Sequence, residues 1–63
     1  MHTLGEKLRL LRMIKNITQK HLADELAIGL NSVGRYENNI RVPKYEMLKK
    51  FDDYYGIPIE DLL

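Results

Sequence analysis

Apolar side chains recur along the chain at helical rather than strand-like intervals. Leu4, Leu8 and Leu11 stand at i, i+4 and i+7, one face of a helix over 4–15 that Asn16 and Ile17 end. Thr18 is suited to cap a second helix over 19–26, whose Leu22, Ala23 and Leu26 form an apolar stripe. Only Ala27-Ile28-Gly29 separates it from a third helix over 30–37, so the two must turn sharply against each other. Asn38-Asn39 stops that helix, because asparagine tolerates the left-handed conformation better than most side chains. After an Ile40–Pro43 loop, Leu48, Phe51 and Tyr55 at i, i+3 and i+7 predict a fourth helix over 44–55, closed by Gly56. Ile57-Pro58 then starts a last helical turn carrying Ile59, Leu62 and Leu63. The expected core is Leu4, Leu8, Leu11, Ile17, Leu22, Ala23, Leu26, Ile28, Val33, Tyr36, Leu48, Phe51, Tyr55 and Ile57.

The third helix is poor in core material. In Gly29-Leu-Asn-Ser-Val-Gly-Arg-Tyr-Glu-Asn-Asn39, Val33 and Tyr36 point one way, while Asn31, Gly34, Arg35 and Asn38 fall on the opposite side of the wheel. One narrow face packs and a small polar face is left open.

Sixty-three residues make one all-α domain, 1–63, near the lower size limit for a single apolar core. There is no cysteine, and neither His2 nor His21 has a partner at a metal-ligand spacing, so no metal and no cofactor is expected. No apolar run is long enough to span a membrane or serve as a secretion signal, and a soluble cytoplasmic protein is the expectation. The net charge of +1 hides a gradient. Residues 1–20 carry a local +4 from Lys7, Arg9, Arg12, Lys15 and Lys20 against Glu6; residues 46–63 carry a local −3. Such polarity suits one end facing an anionic partner, although an ordinary solvated surface would also produce it.

Residues 18–37, TQKHLADELAIGLNSVGRYE, resemble the helix-turn-helix of the phage-repressor (Cro/C1, XRE-type) DNA-binding family. The resemblance rests on Thr18-Gln19, Leu22-Ala23, Ala27-Ile28, Val33 and Glu37, and continues outside the motif through Leu4-Gly5-Glu6, Arg12, Pro43, Leu48 and Gly56–Leu62. It implies a compact five-helix repressor-like bundle with helices 2 and 3 as the motif. Ala27 stands where the family usually has a turn glycine; a left-handed alanine there is strained by roughly 1 kcal/mol or more. Gly29 and Leu30 replace the usual polar cap and polar first residue of the third helix, Asn39 a common glycine, and Asp52 a small apolar residue.

The resemblance also orders the candidate site. Arg12 and Glu37, each one turn beyond a core residue, form either a partly buried ion pair, which the family implies, or two unpaired rim charges. The third helix would enter the major groove of double-stranded DNA, presenting Leu30, Asn31, Gly34 and Arg35 to the bases: asparagine pairs with adenine, arginine with guanine, and leucine touches a thymine methyl, unless Asn31 and Arg35 are simply a solvated helix face. Gly34 either permits close approach or is a tolerated weak point. Gln19, through its amide and a free N–H at the positive end of the second helix, and Thr18 beside it, suit a phosphate. The resemblance sets Asn38, Asn39 and the following loop against the DNA backbone, where Arg41 and Lys44 supply charge or are simply loop charges.

One recognition helix covers few base pairs, so proteins of this type usually bind a DNA operator as two-fold homodimers. Ile59, Leu62 and Leu63 are the candidate dimer surface, unless the tail simply closes the core. The reading is a transcriptional regulator, a repressor by preference, and the chain could be the DNA-binding part of a longer one. The alternative is a protein-interaction module such as an antitoxin or adaptor. No nucleophile–base pair, carboxylate dyad or phosphate loop points to an enzyme, and no small-molecule ligand is evident.

Overall fold

The computed structural model describes residues 2–63. Its elements are α1 (Leu4–Ile14), α2 (Gln19–Leu26), α3 (Leu30–Glu37), α4 (Tyr45–Tyr55) and α5 (Ile59–Leu62), with no strand among the described residues. The expected five helices are present. Two bounds differ by one residue: Lys15 is the cap of α1, and Lys44 lies in extended backbone as the cap of α4. Among the described residues no helix is long and apolar enough to cross a membrane.

Local chemistry explains where the helices begin. Thr3 and Glu6 form a reciprocal capping box at α1, with Thr3 Oγ1 accepting from the Glu6 N–H at 3.2 Å and Glu6 Oε1 accepting from the Thr3 N–H at 3.0 Å. Hydrogen bonds from Thr3, its main-chain N–H first and then its hydroxyl, hold the exposed Glu6 carboxyl below the usual carboxylate range. Thr18 Oγ1 caps α2 by accepting from the His21 N–H at 3.0 Å.

Three helices end alike. Asn16, Ala27 and Asn39 are all left-handed, with φ of 56°, 56° and 60°. In each, the following N–H reaches back to a carbonyl of the last turn: Ile17 to Arg12, Ile28 to Ala23, and Ile40 to Arg35. This Schellman closure turns the chain sharply while satisfying carbonyls that the helix ladder leaves open. α4 ends instead on Gly56, φ 70°, whose own N–H reaches the Asp52 carbonyl at 2.7 Å.

The helices enclose one core of Leu8, Leu22, Ala23, Leu26, Val33, Tyr36, Phe51 and Leu62, with Leu48 also buried. Leu4, Leu11, Ile17, Ile28, Met47, Tyr54, Tyr55 and Ile57 pack around it, half-exposed. Phe51 is its aromatic centre, edge-on to Tyr36 at 6.1 Å and parallel to Tyr55 at 6.3 Å. The Tyr55 hydroxyl is buried without a hydrogen-bond partner, and burial pushes this phenol up.

Leu62 corrects the expectation for the tail. It is 1 % exposed and belongs to the core; the single turn of α5 drives it inward against α4 and α1, and a side chain committed there is not available to a second subunit. Ile59 is half-buried and Leu63 exposed. Exposed apolar side chains gather elsewhere, at Leu10, Met13 and Ile14 on α1 and at Ile40, Val42 and Tyr45 around the α3–α4 loop.

Candidate nucleic-acid interface

α3 is clamped on its inner side at two points and open on its outer side. At its C-terminal end the start of α1 comes unusually close: a Cβ on Gly5 would stand 2.6 Å from the carbonyl oxygens of both Tyr36 and Glu37. Only glycine permits that approach. Asn39 seals it, accepting the Gly5 N–H on Oδ1 at 3.0 Å and donating Nδ2–H to Thr3 Oγ1 at 2.8 Å.

The second clamp is the Arg12–Glu37 pair. Arg12 donates through Nε to Glu37 Oε2 at 2.7 Å and through Nη2 to Oε1 at 3.1 Å, while Nη1 donates to the Ile17 carbonyl at 2.9 Å. The side chains are 14 % and 2 % exposed, which settles the alternative of two rim charges in favour of a buried bidentate pair. Donating to the Glu37 carboxylate raises the Arg12 guanidinium above its ordinary value. Gln19 Nε2 donates to Glu37 Oε1 at 3.1 Å. One carboxylate thus joins α1, α2 and α3, and the Gln19 amide nitrogen, expected to face a phosphate, is engaged here instead.

The polar face of α3 carries no such restraint. Leu30, Asn31 and Arg35 are exposed and Gly34 half-buried. They line one open hollow together with Gln19, Asn38 and Ile40. The four residues expected to face bases are therefore brought together. Gly29 caps α3 with extended backbone and no side-chain hydrogen bond, so the leading turn of the helix is uncovered.

The flanking residues divide. Thr18 caps α2 beside Gln19. Arg41 lies over the Tyr36 ring, 5.9 Å from its centroid, and shares a neighbouring hollow with Lys44 and Lys50. Asn38 belongs to the α3 hollow, whereas the Asn39 side chain turns away to α1 and is spent there. Ile40, in the loop expected to follow the site but not itself singled out, also lines the hollow; its sequence signal is an apolar residue directly after a left-handed asparagine, the place where a Schellman turn swings the chain back toward the helix. No group of three or more His, Asp or Glu among the described residues is placed to hold a metal ion.

The helix-turn-helix domain family matches residues 5–63. The cryptic phage CTXphi transcriptional repressor RstR of Vibrio cholerae is 33 % identical over 59 residues, covering 94 % of this chain and 53 % of its own. The HTH-type transcriptional regulator ImmR of Bacillus subtilis (strain 168) is 34 % identical over 61 residues, covering 97 % and 48 %. The HTH-type transcriptional activator BcrR of Enterococcus faecalis is 34 % identical over 59 residues, covering 94 % and 29 %. The chain thus spans about half the length, or less, of these relatives. With α2 and α3 joined through a left-handed turn and fixed by the buried Arg12–Glu37 pair, the chain belongs to the helix-turn-helix family of the phage-repressor (Cro/C1, XRE) type.

Proposed function

We propose that the chain binds double-stranded DNA sequence-specifically and regulates transcription, with α3 lying in the major groove. The observation that carries this reading is the open hollow formed by Leu30, Asn31, Gly34 and Arg35 on the one side of α3 that contributes nothing to the core. The Asn31 amide and the Arg35 guanidinium on this exposed face match the donors and acceptors on base edges. Asn31 and Arg35 read bases, Leu30 touches a thymine methyl, and Gly34 lets the helix sit close. Thr18, the main-chain N–H of Gln19, Asn38, Arg41 and Lys44 hold phosphates on either side.

Repression is the simpler regulatory outcome, because a bound domain occludes the duplex it covers. The protein acts on its operator as a homodimer, the second α3 reading a half-site about one helical turn away; Ile59 and the exposed Leu63 are the tail's contribution to that contact. Its place of work is the cytoplasm, where the operator is, and it is not an enzyme.

Selection of bound sequences from random duplex DNA tests the reading. A palindromic motif is expected, with affinity falling steeply in log salt. A folded sample that enriches no sequence at low ionic strength ends it.

A further inference from the structure

We infer that Gln19 reads a base: its side-chain Oε1 accepts a hydrogen bond from the exocyclic amino group of an adenine or cytosine in the major groove. The inference rests on the DNA-binding reading above and adds a specificity-determining residue from α2 to those on α3.

The orientation of the Gln19 amide is fixed chemically. Glu37 Oε1, 3.1 Å from Nε2, is a carboxylate oxygen that only accepts. A flipped amide would set oxygen against oxygen beside a buried charge, so the N–H end must face Glu37. Arg12 holds that carboxylate in turn through two bonds, and together Glu37 and Arg12 act as positioning residues. The carbonyl end of the amide therefore points the other way, toward α3, where it lies 3.9 Å from the position a Cβ on Gly34 would take. Gly34 is the residue of α3 with no side chain to cover it, and among the described residues no hydrogen bond reaches Oε1. The oxygen is left in the hollow shared with Asn31 and Arg35.

An acceptor fixed at this point selects its partner. Phosphate oxygens are acceptors too and are repelled. The major-groove edges offer two kinds of donor, adenine N6–H and cytosine N4–H. Because Glu37 has already immobilised the amide, little rotamer freedom is lost when the base arrives.

The test compares motifs selected from random duplex DNA by the unmodified protein, by Gln19→Ala, and by Gln19→Met, which keeps the stem but cannot hydrogen-bond; circular dichroism reports folding. Both variants are expected to lose preference, by about tenfold, at one base pair per half-site that carries adenine or cytosine facing the helix, with the other positions kept. On the unmodified protein, purine in place of that adenine, or 2-pyrimidinone in place of that cytosine, should cost a similar factor; the analogue that hurts names the base. An unchanged motif with uniformly weaker binding to all duplexes overturns the inference and leaves the DNA-binding reading standing. Failure of the unmodified protein to select any motif overturns both.

Discussion

Gly5 and Asn39, thirty-four residues apart, meet as a backbone donor and a side-chain acceptor 3.0 Å from one another. The contact exists because residue 5 has no side chain; the two carbonyls at the end of α3 occupy the space a Cβ would need.

Gly5→Ala should therefore destabilise the fold although alanine favours helices. Two of the obstructing atoms are backbone oxygens and the third is Asn39 Oδ1, 2.7 Å away, so α1 must shift, at about 1–3 kcal/mol. Chemical denaturation would show a lower midpoint; an unchanged or raised midpoint would mean that α1 can slide without loss.

Removing either member of the Arg12–Glu37 pair leaves the other largely buried. Arg12→Met and Glu37→Gln should each cost about 3–5 kcal/mol, and the double variant clearly less than their sum. A double-mutant cycle by thermal or denaturant unfolding measures the coupling. Strict additivity would deny any cooperation between the two charges.

Two substitutions should raise stability. Ala27→Gly relieves a left-handed alanine at φ 56° and is expected to gain about 1 kcal/mol, less the entropy glycine costs in the unfolded chain. Tyr55→Phe removes a buried hydroxyl that has no partner, for a gain of about 1 kcal/mol. Unfolding midpoints that fall for both would reverse these assignments.

On DNA, Asn31→Ala and Arg35→Ala should each cost about 1–3 kcal/mol on the preferred sequence and relax choice at one base pair. Arg41→Ala should weaken all duplexes nearly equally and reduce the slope of log affinity against log salt by about 1. Titrations of specific and random duplexes at several salt concentrations separate the two behaviours. Equal loss on both kinds of DNA for Arg35→Ala would remove it from the reading face.

Glu6 brings a pH dependence of definite sign. Its carboxyl is held below its ordinary value of 4.5 by the Thr3 bonds, so its contribution is complete above that value and disappears as pH falls through the lower, folded one. Unfolding curves from about pH 7 to about pH 2 should show Glu6→Gln insensitive to this portion of the acid limb. Parallel acid limbs in the two proteins would leave the capping box without influence on stability.

How far these features can be read from the chain depends on the range over which their causes act. Helix periods, the Thr18 cap and the Gly56 stop are set by neighbours within one turn, and the structure follows them to within a residue. The polar face of α3 was legible for the same reason. For Leu62 the chain leaves core closure and a dimer surface both open, because a four-residue helix gives too short a pattern to show which side faces inward. Gly5–Asn39 and Gln19–Glu37 join residues distant in sequence, and no local pattern announces that a glycine is making room or that an amide has been turned. Arg12–Glu37 is legible as a charge beside each of two apolar faces, which with the family resemblance suggests the pair but leaves its burial open.

α3 buries Val33, Tyr36 and Glu37 and little else, so what holds the helix in place and what it displays outward are different sets of atoms. Its exposed letters, Leu30, Asn31 and Arg35, are free to be rewritten while the mount stays intact, and a lineage can drift toward new targets without first surviving an unstable intermediate. Gln19 is the exception: it belongs to both sets, its amide nitrogen held on Glu37 and its oxygen left in the outward hollow.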